Sequence, residues 1–260
     1  MVTQFPSWLR TYEDCPKRYR FRCIDRRPEK DSPAFTVGRN IHAALKTFFS
    51  LKVGDRSPER LIELLKEAWR HDRRVFARGD PELERDWGSR AVEMLNRSYD
   101  ILDVFARPVA LEQFIEVTVE DELTLKGLVD RIDRVGDREL KVIDYKSAKF
   151  PLSETSERER DVAAIIYALG VERLFPNERV VAVDYIYLGD AKVLRFEPTR
   201  QLIEEKLNKI RELVKRVEAD RHWVATPSQL CAYCGYLDIC PEGTDFIGPI
   251  EAIEVEELPF

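Results

Sequence analysis

Several absences narrow what this 260-residue chain can be. No apolar run approaches the roughly 18–20 residues that a membrane span requires, so an integral membrane protein is excluded as an expectation. The stretch MVTQFPSWLRTYEDCPKRYR contains no apolar h-region, so no secretory leader is expected and a reducing, cytoplasmic setting is. There is no internal repeat and no low-complexity tract. Net positive charge is also lacking: the formal charge is −6, which at first sight argues against a nucleic-acid partner. Its distribution softens that objection. Residues 241–260 carry six acids and no Lys or Arg, and these account for the whole excess. Residues 1–30 carry eight Lys/Arg against four acids. A phosphate backbone meets local faces rather than global charge, although a solvated helix face is the commoner origin of such a run.

A second close cysteine pair is missing too. Cys15 stands near one end, and Cys231, Cys234 and Cys240 stand near the other as C-x-x-C-x-x-x-x-x-C. In a reducing compartment, clustered cysteines are read as metal ligands or reactive thiols before disulfides. Four thiolates satisfy either a structural zinc or an iron–sulfur cluster, and the residues alone leave both open. Either centre would join the two ends of the fold. Cys23 is left over and reads as a small buried hydrophobe.

Hydrophobic periodicity predicts a helix over 7–25 with Ser7 as its N-cap, a second over 38–51, and a long charged helical region over 57–79 and 81–106. The character switches at Pro108. FIEVTVEDELTLKGLVDRIDRV and RELKVIDYKS alternate apolar and polar residues and predict about three antiparallel strands. A helix over 157–175 follows, then VVAVDYIYLG and KVLRFEP as a hairpin, then an amphipathic helix over 199–221. This order predicts an α/β fold, a mixed sheet flanked by helices.

GLVDRID places Asp130 and Asp133 in one strand, and IDYKS places Asp144 and Lys146 in the next. Alternation puts Asp144 and Lys146 on one face and Tyr145 on the other. If the strands pair as a hairpin, Asp130 approaches Asp144. Two carboxylates at one end of a sheet suit a hard cation such as Mg²⁺, and a nearby lysine suits a water or a phosphoryl oxygen. Metal-assisted phosphodiester hydrolysis needs those parts. Alone, D-x-K in a strand is a weak signal, because strand edges often carry solvated charges. An acid directly after the apolar Val142 and Ile143 is harder to dismiss.

Taken with SWLRTYEDCPKRYRFR, VGRNIHAAL and LCAYCGYLDICP, these segments resemble the PD-(D/E)XK nuclease superfamily over nearly the whole chain. The likeness is greatest to the RecB-like branch that carries an iron–sulfur cluster: the AddB nuclease domain, the CRISPR-associated iron–sulfur nucleases and stand-alone RecB-family exonucleases. The resemblance implies one restriction-endonuclease-like domain with a helical insertion at about 55–107, a nuclease core at about 108–198, cluster segments 7–25 and 226–242, and an acidic tail over 243–260. It implies a [4Fe–4S] cluster on Cys15, Cys231, Cys234 and Cys240. It implies Mg²⁺ or Mn²⁺ held by His42, Asp130, Asp144 and the backbone carbonyl of Tyr145, with Glu116, Lys146 and Tyr167 completing the catalytic set. The implied activity is a DNA exonuclease acting on single-stranded or frayed ends in repair or recombination, with a helicase or recombination proteins as partners and no membrane. Two other readings stand beside it: a CRISPR-adaptation nuclease that trims DNA before integration, and a catalytically weak DNA-binding protein. Ala163 occupies the place where the family carries a glutamine four residues before the tyrosine.

Overall fold

The computed structural model describes residues 2–30, 33–77, 81–120 and 123–248. Its backbone is a six-stranded mixed sheet with helices on both faces. The strands are β1 (Val2–Gln4), β2 (Pro108–Glu120), β3 (Leu123–Gly136), β4 (Glu139–Lys146), β5 (Arg179–Tyr187) and β6 (Lys192–Phe196). β2, β3 and β4 form the predicted antiparallel meander. β5 then pairs parallel to β4, after a helical crossover, and β6 returns antiparallel. Leu125 pairs with Gln4 on one side and Val117 on the other, so β1 and β2 occupy opposite edges of β3. β1 and β4 therefore share one edge of that long strand, end to end.

One face of the sheet is covered by α3 (Pro33–Ser50), α4 (Pro58–Ala77) and α5 (Pro81–Ser98). Ile41, Leu45, Phe48, Leu61, Leu65, Trp87 and Leu95 of these helices bury against Ile143, Tyr145, Ile186 and Leu188 of the strands. The other face is covered by α7 (Ala163–Leu174) and α8 (Arg200–Ala219), through Ile166, Val171, Ile210 and Leu213 against Ile115, Leu125, Val142 and Val183. α6 (Glu154–Arg160) leads into α7. Among the described residues no helix is long and apolar enough to cross a membrane.

The elements depart from the sequence expectation at several points. The predicted first helix is two: α1 (Pro6–Asp14) and α2 (Pro16–Tyr19), the latter running into a π-helical turn over Arg20–Ile24. Proline at 16 forces its predecessor out of helical geometry, and Cys15 is extended at φ −161° and ψ 107°. That break lifts the Cys15 thiol out of the helix face. Ser7 is not the N-cap; Phe5 is, with Pro6 supplying the preset φ of the first turn. The helix predicted over 81–106 stops at Ser98 and passes through a 3₁₀ turn, Tyr99–Ile101. The helix predicted over 157–175 is interrupted at Asp161 and Val162. Of the predicted tail, residues 249–260 lie outside the described residues, while Pro241–Ile247 forms a short helix, α9.

α7 seats closely on the β2–β3 hairpin at Gly170, where an added Cβ would lie 2.8 Å from the Cβ of Ile115. Ile115 is 2% exposed and has no room to retreat. Alanine normally improves a helix over glycine, so the sign here is set by packing. Gly170→Ala is expected to lower the unfolding free energy by about 1–3 kcal/mol. Gly54→Ala, with nothing within 4 Å of the added carbon, is expected to leave it nearly unchanged. Urea denaturation of the two variants checks the contrast.

Candidate active site

The register that pairs Arg131 with Ile143 and Leu111 with Arg131 sets Asp130 opposite Asp144 on one side and Glu112 on the other. Asp130 is 7% exposed, and both its oxygens are engaged. Oδ2 accepts the Tyr145 backbone N–H at 2.7 Å, and Oδ1 lies 3.0 Å from Nδ1 of His42 on α3. Gly38, one turn before His42, brings α3 against the end of β4: a Cβ there would lie 3.1 Å from Ser147 Oγ. Three elements thus meet at one carboxylate.

His42, Glu112 and Asp130 each offer an atom within 4.8 Å of the others. One imidazole nitrogen and carboxylate oxygens are a donor set that Mn²⁺ accepts well and Mg²⁺ tolerably. Glu112 has φ +49°, a left-handed conformation that costs a glutamate energy inside a strand. Such strain collects at functional sites, where the surrounding structure over-determines it. Burial alone would lower the His42 pKa, but the hydrogen bond and charge of Asp130, with Asp144 behind, hold it above its ordinary value. Burial raises the Glu112 carboxyl, and Asp130 raises it further.

Asp144 is 5% exposed and turns toward α7. Its Oδ1 accepts the Tyr167 hydroxyl at 3.5 Å, and Oδ2 forms an ion pair with Lys146. Burial pushes the Asp144 carboxyl up, and Lys146 offsets part of that. The Asp144 charge more than compensates for the burial of Lys146, whose ammonium is held protonated well above its ordinary range. The ion pair with Asp144 thus favours the ammonium form of Lys146. Its Nζ also lies 4.7 Å from the ring centroid of Tyr185. Burial and the carboxylates keep the Tyr167 phenol neutral, so it serves as a donor.

Tyr145 divides its roles. Its ring is buried on the other face, where its hydroxyl accepts from Arg131 at 2.9 Å. The Lys146 carbonyl accepts from Leu188 on the β5 edge, at 2.9 Å. Alternation then turns the Tyr145 peptide groups to the β3 edge, beside Asp130.

Glu116 does not join this group. Its side chain is 50% exposed and lies 2.9 Å from Lys126, its cross-strand partner. Glu112 stands where Glu116 was expected. The strand begins at Pro108, six residues before the alternating run FIEVTV, so a strand read from Phe114 leaves Glu112 outside. The pattern is broken at Glu112 itself by its backbone, which hid the signal. Ala163 opens α7, half-buried, and brings no polar group to the site.

A family model described as the PD-(D/E)XK nuclease superfamily matches residues 6–241. The chain belongs to that superfamily. Its fold uses divalent metals, and its members act on DNA. Among solved structures, the chain is similar to a crystal structure described as "Putative exonuclease" from Eubacterium rectale, with a TM-score of 0.52 and 10% identity over 82% of this chain and 79% of that one. At that identity the likeness concerns the fold. A structure described as SSO0001 aligns over 93% of this chain and 86% of its own at 15% identity, with a TM-score of 0.39. No curated protein matches.

A cation bound at this trio must compete with the proton that Asp130 stabilises on His42 and with the one that burial favours on Glu112. Its affinity is therefore full above the raised His42 pKa and falls, by up to about tenfold per pH unit, as pH drops through it. Calorimetric titration of Mn²⁺ across pH 5.5–8 checks this, and His42→Ala is expected to weaken binding and flatten the slope.

Proposed function

We propose that this chain is a divalent-metal-dependent deoxyribonuclease of exonuclease type, acting on single-stranded or frayed DNA ends, with a structural [4Fe–4S] cluster. The convergence of His42, Glu112 and Asp130 beside the Asp144–Lys146 pair carries the reading. A divalent ion at the trio would supply Lewis acidity and an activated water. Asp144 and the Tyr145 carbonyl, on the neighbouring strand, would complete its ligands. Lys146, pinned as a cation, meets the charge that develops on the phosphoryl oxygens. Tyr167 restrains Asp144 from the side of α7. The competing reading, a catalytically weak DNA-binding protein, is favoured by Ala163 alone.

The cysteines support a second, separate centre. Cys15, Cys231, Cys234 and Cys240 line one cavity with Phe21, Tyr236 and Gly243. Cys15 Sγ accepts the Thr226 N–H at 3.5 Å, and Cys231 Sγ accepts the Ser228 N–H at 3.4 Å, contacts that tune cluster sulfurs. Gly243 packs beside the Cys240 and Cys231 sulfurs, which lie 3.5 and 3.6 Å from where a Cβ would stand, an ordinary contact distance. Burial raises the Cys234 and Cys240 thiols, the opposite of what a reactive thiol needs. Cys23 lies apart, half-buried against Tyr12, Tyr19 and Val217, with burial pushing its thiol up to about 11.

Several basic residues of the N-terminal run are paired with acids. Lys17 pairs with Glu242 at 2.6 Å, Lys30 with Asp238 at 2.8 Å, and Arg18 with Glu29 at 2.9 Å. Two of these pairs hold the C-terminal cysteine segment against α2 and the stretch that follows the π-helical turn.

Purified protein with Mg²⁺ or Mn²⁺ is expected to degrade end-labelled linear DNA and to spare circular DNA. Asp144→Ala and Lys146→Ala are each expected to reduce the rate by at least about 10²-fold, with visible absorbance unchanged. Equal inertness of wild type and both variants would favour the binding reading. Separately, Cys15→Ser or Cys240→Ser is expected to remove the visible absorbance and lower the thermal midpoint, followed by optical spectra and calorimetry. An unchanged midpoint in the cluster-free variant would show that the centre does not clasp the fold.

A further inference from the structure

Asp161 lies in the break between α6 and α7 and is 8% exposed. Its oxygens are taken by a phenol and an amide rather than by a base. Oδ1 accepts the Tyr185 hydroxyl at 2.8 Å, and Oδ2 accepts the Ala164 N–H at 3.1 Å. The second bond caps the start of α7 and needs no charge. The first is harder to explain as capping. Tyr185 is 1% exposed, sits opposite Asp144 in the β4–β5 ladder, and turns its ring toward Lys146.

A buried carboxylate is costly, and a neutral acceptor would have capped the helix. What the charge adds is an effect on its neighbours. A phenol donating to a carboxylate makes a stronger hydrogen bond and a more electron-rich ring, and a more electron-rich ring holds a cation better. Among the described residues, the Asp144 carboxylate pairs with Lys146 on one side and the Tyr185 ring lies under it on the other. Burial raises the Asp161 carboxyl, and the Tyr185 hydroxyl, the Ala164 amide and Lys146 each offset part of that, while Asp161 in turn favours the charged form of Lys146.

We propose that Asp161 is a positioning residue for Lys146, acting through Tyr185: its carboxylate fixes the ring on which the ammonium rests, and so sets where that cation meets the phosphoryl group. This rests on the nuclease reading given above. Asp161 touches neither substrate nor metal ligand in this arrangement. The break between the two helices, absent from the sequence expectation, is what delivers it.

The test separates the charge from the cap. Asp161→Asn keeps a side-chain oxygen for the Ala164 amide and removes the charge. Tyr185→Phe keeps the ring and removes the hydroxyl. On end-labelled linear DNA with Mn²⁺, each is expected to lower kcat about tenfold with KM changed less than about twofold, and the double variant to fall no further than either single one, as for residues acting as a unit. Thermal midpoints are expected to stay within about 3 °C of wild type. Independently of turnover, lysine-labelled NMR of the metal-free protein reads the Lys146 ε-methylene signal, which the Tyr185 ring shifts upfield. That signal is expected to move toward its free-lysine position in Asp161→Asn. Unchanged kcat in Asp161→Asn, or an unmoved signal, would overturn the proposal. Activity and midpoint falling together with the signal unmoved would assign Asp161 to capping alone. An inert wild type would count against the nuclease reading, and the NMR arm would still decide the role of Asp161.

Discussion

A carboxylate buried at the junction of three elements must be satisfied by all of them, and Asp130 is. The Tyr145 amide ties it to β4, and His42 ties it to α3. Neither bond forms unless β3 and β4 are in register and α3 crosses the end of β4 at Gly38. The site's other members follow from this arrangement. Asp144 is the residue opposite, and Lys146 is the next on the same face of β4. Glu112 is the residue opposite on β2, turned inward by its strained backbone. Leaving such a group without its partners costs far more than the bonds themselves contribute. The geometry is therefore held more firmly than any one contact would hold it.

The two aspartates of GLVDRID show how narrowly position decides role. Asp133, three residues from Asp130, pairs with Arg131 at 3.0 Å, with both side chains almost fully buried. Arg131 lies 3.9 Å from the centre of the Phe49 ring and reaches Tyr145. This pair anchors α3 to the sheet on the face away from Lys146. Burial raises the Asp133 carboxyl even so, as expected where desolvation rivals the attraction of the pair. One aspartate joins the cluster with His42 and Glu112 and the other organises packing, on one strand.

The cysteine cavity and the active site are joined by ordinary ion pairs. Asp14, next to Cys15, pairs with Arg160, next to Asp161. Arg10, also on α1, meets Glu157 of α6 at 3.0 Å. α1 thus grips α6, the helix that leads to Asp161. A centre that fixes Cys15 would steady that grip without taking part in hydrolysis.

The strand meander, the mixed sheet, the apolar helix faces and the order of the motifs were all legible in the chain, because each depends on local periodicity and on residues adjacent in sequence. His42, Asp130, Asp144, Lys146 and Tyr167 were legible through their motifs, and the structure brings them to one end of the sheet. Glu112 was not, because a left-handed residue breaks the alternation that would have marked the strand. Glu116 carried the expected residue type, but the register pairs it with Lys126 in solvent. The interruption at Asp161 was equally hidden: Asp-Val-Ala-Ala has no proline or glycine to announce it. Whether four cysteines enclose a narrow or a wide cavity depends on how α1, the Cys231–Cys240 segment and α9 dock. Sequence alone determined which groups were available and which strand carried them. Tertiary structure decided which carboxylate faces which partner, since a strand offers two faces and two edges and only its neighbours choose among them.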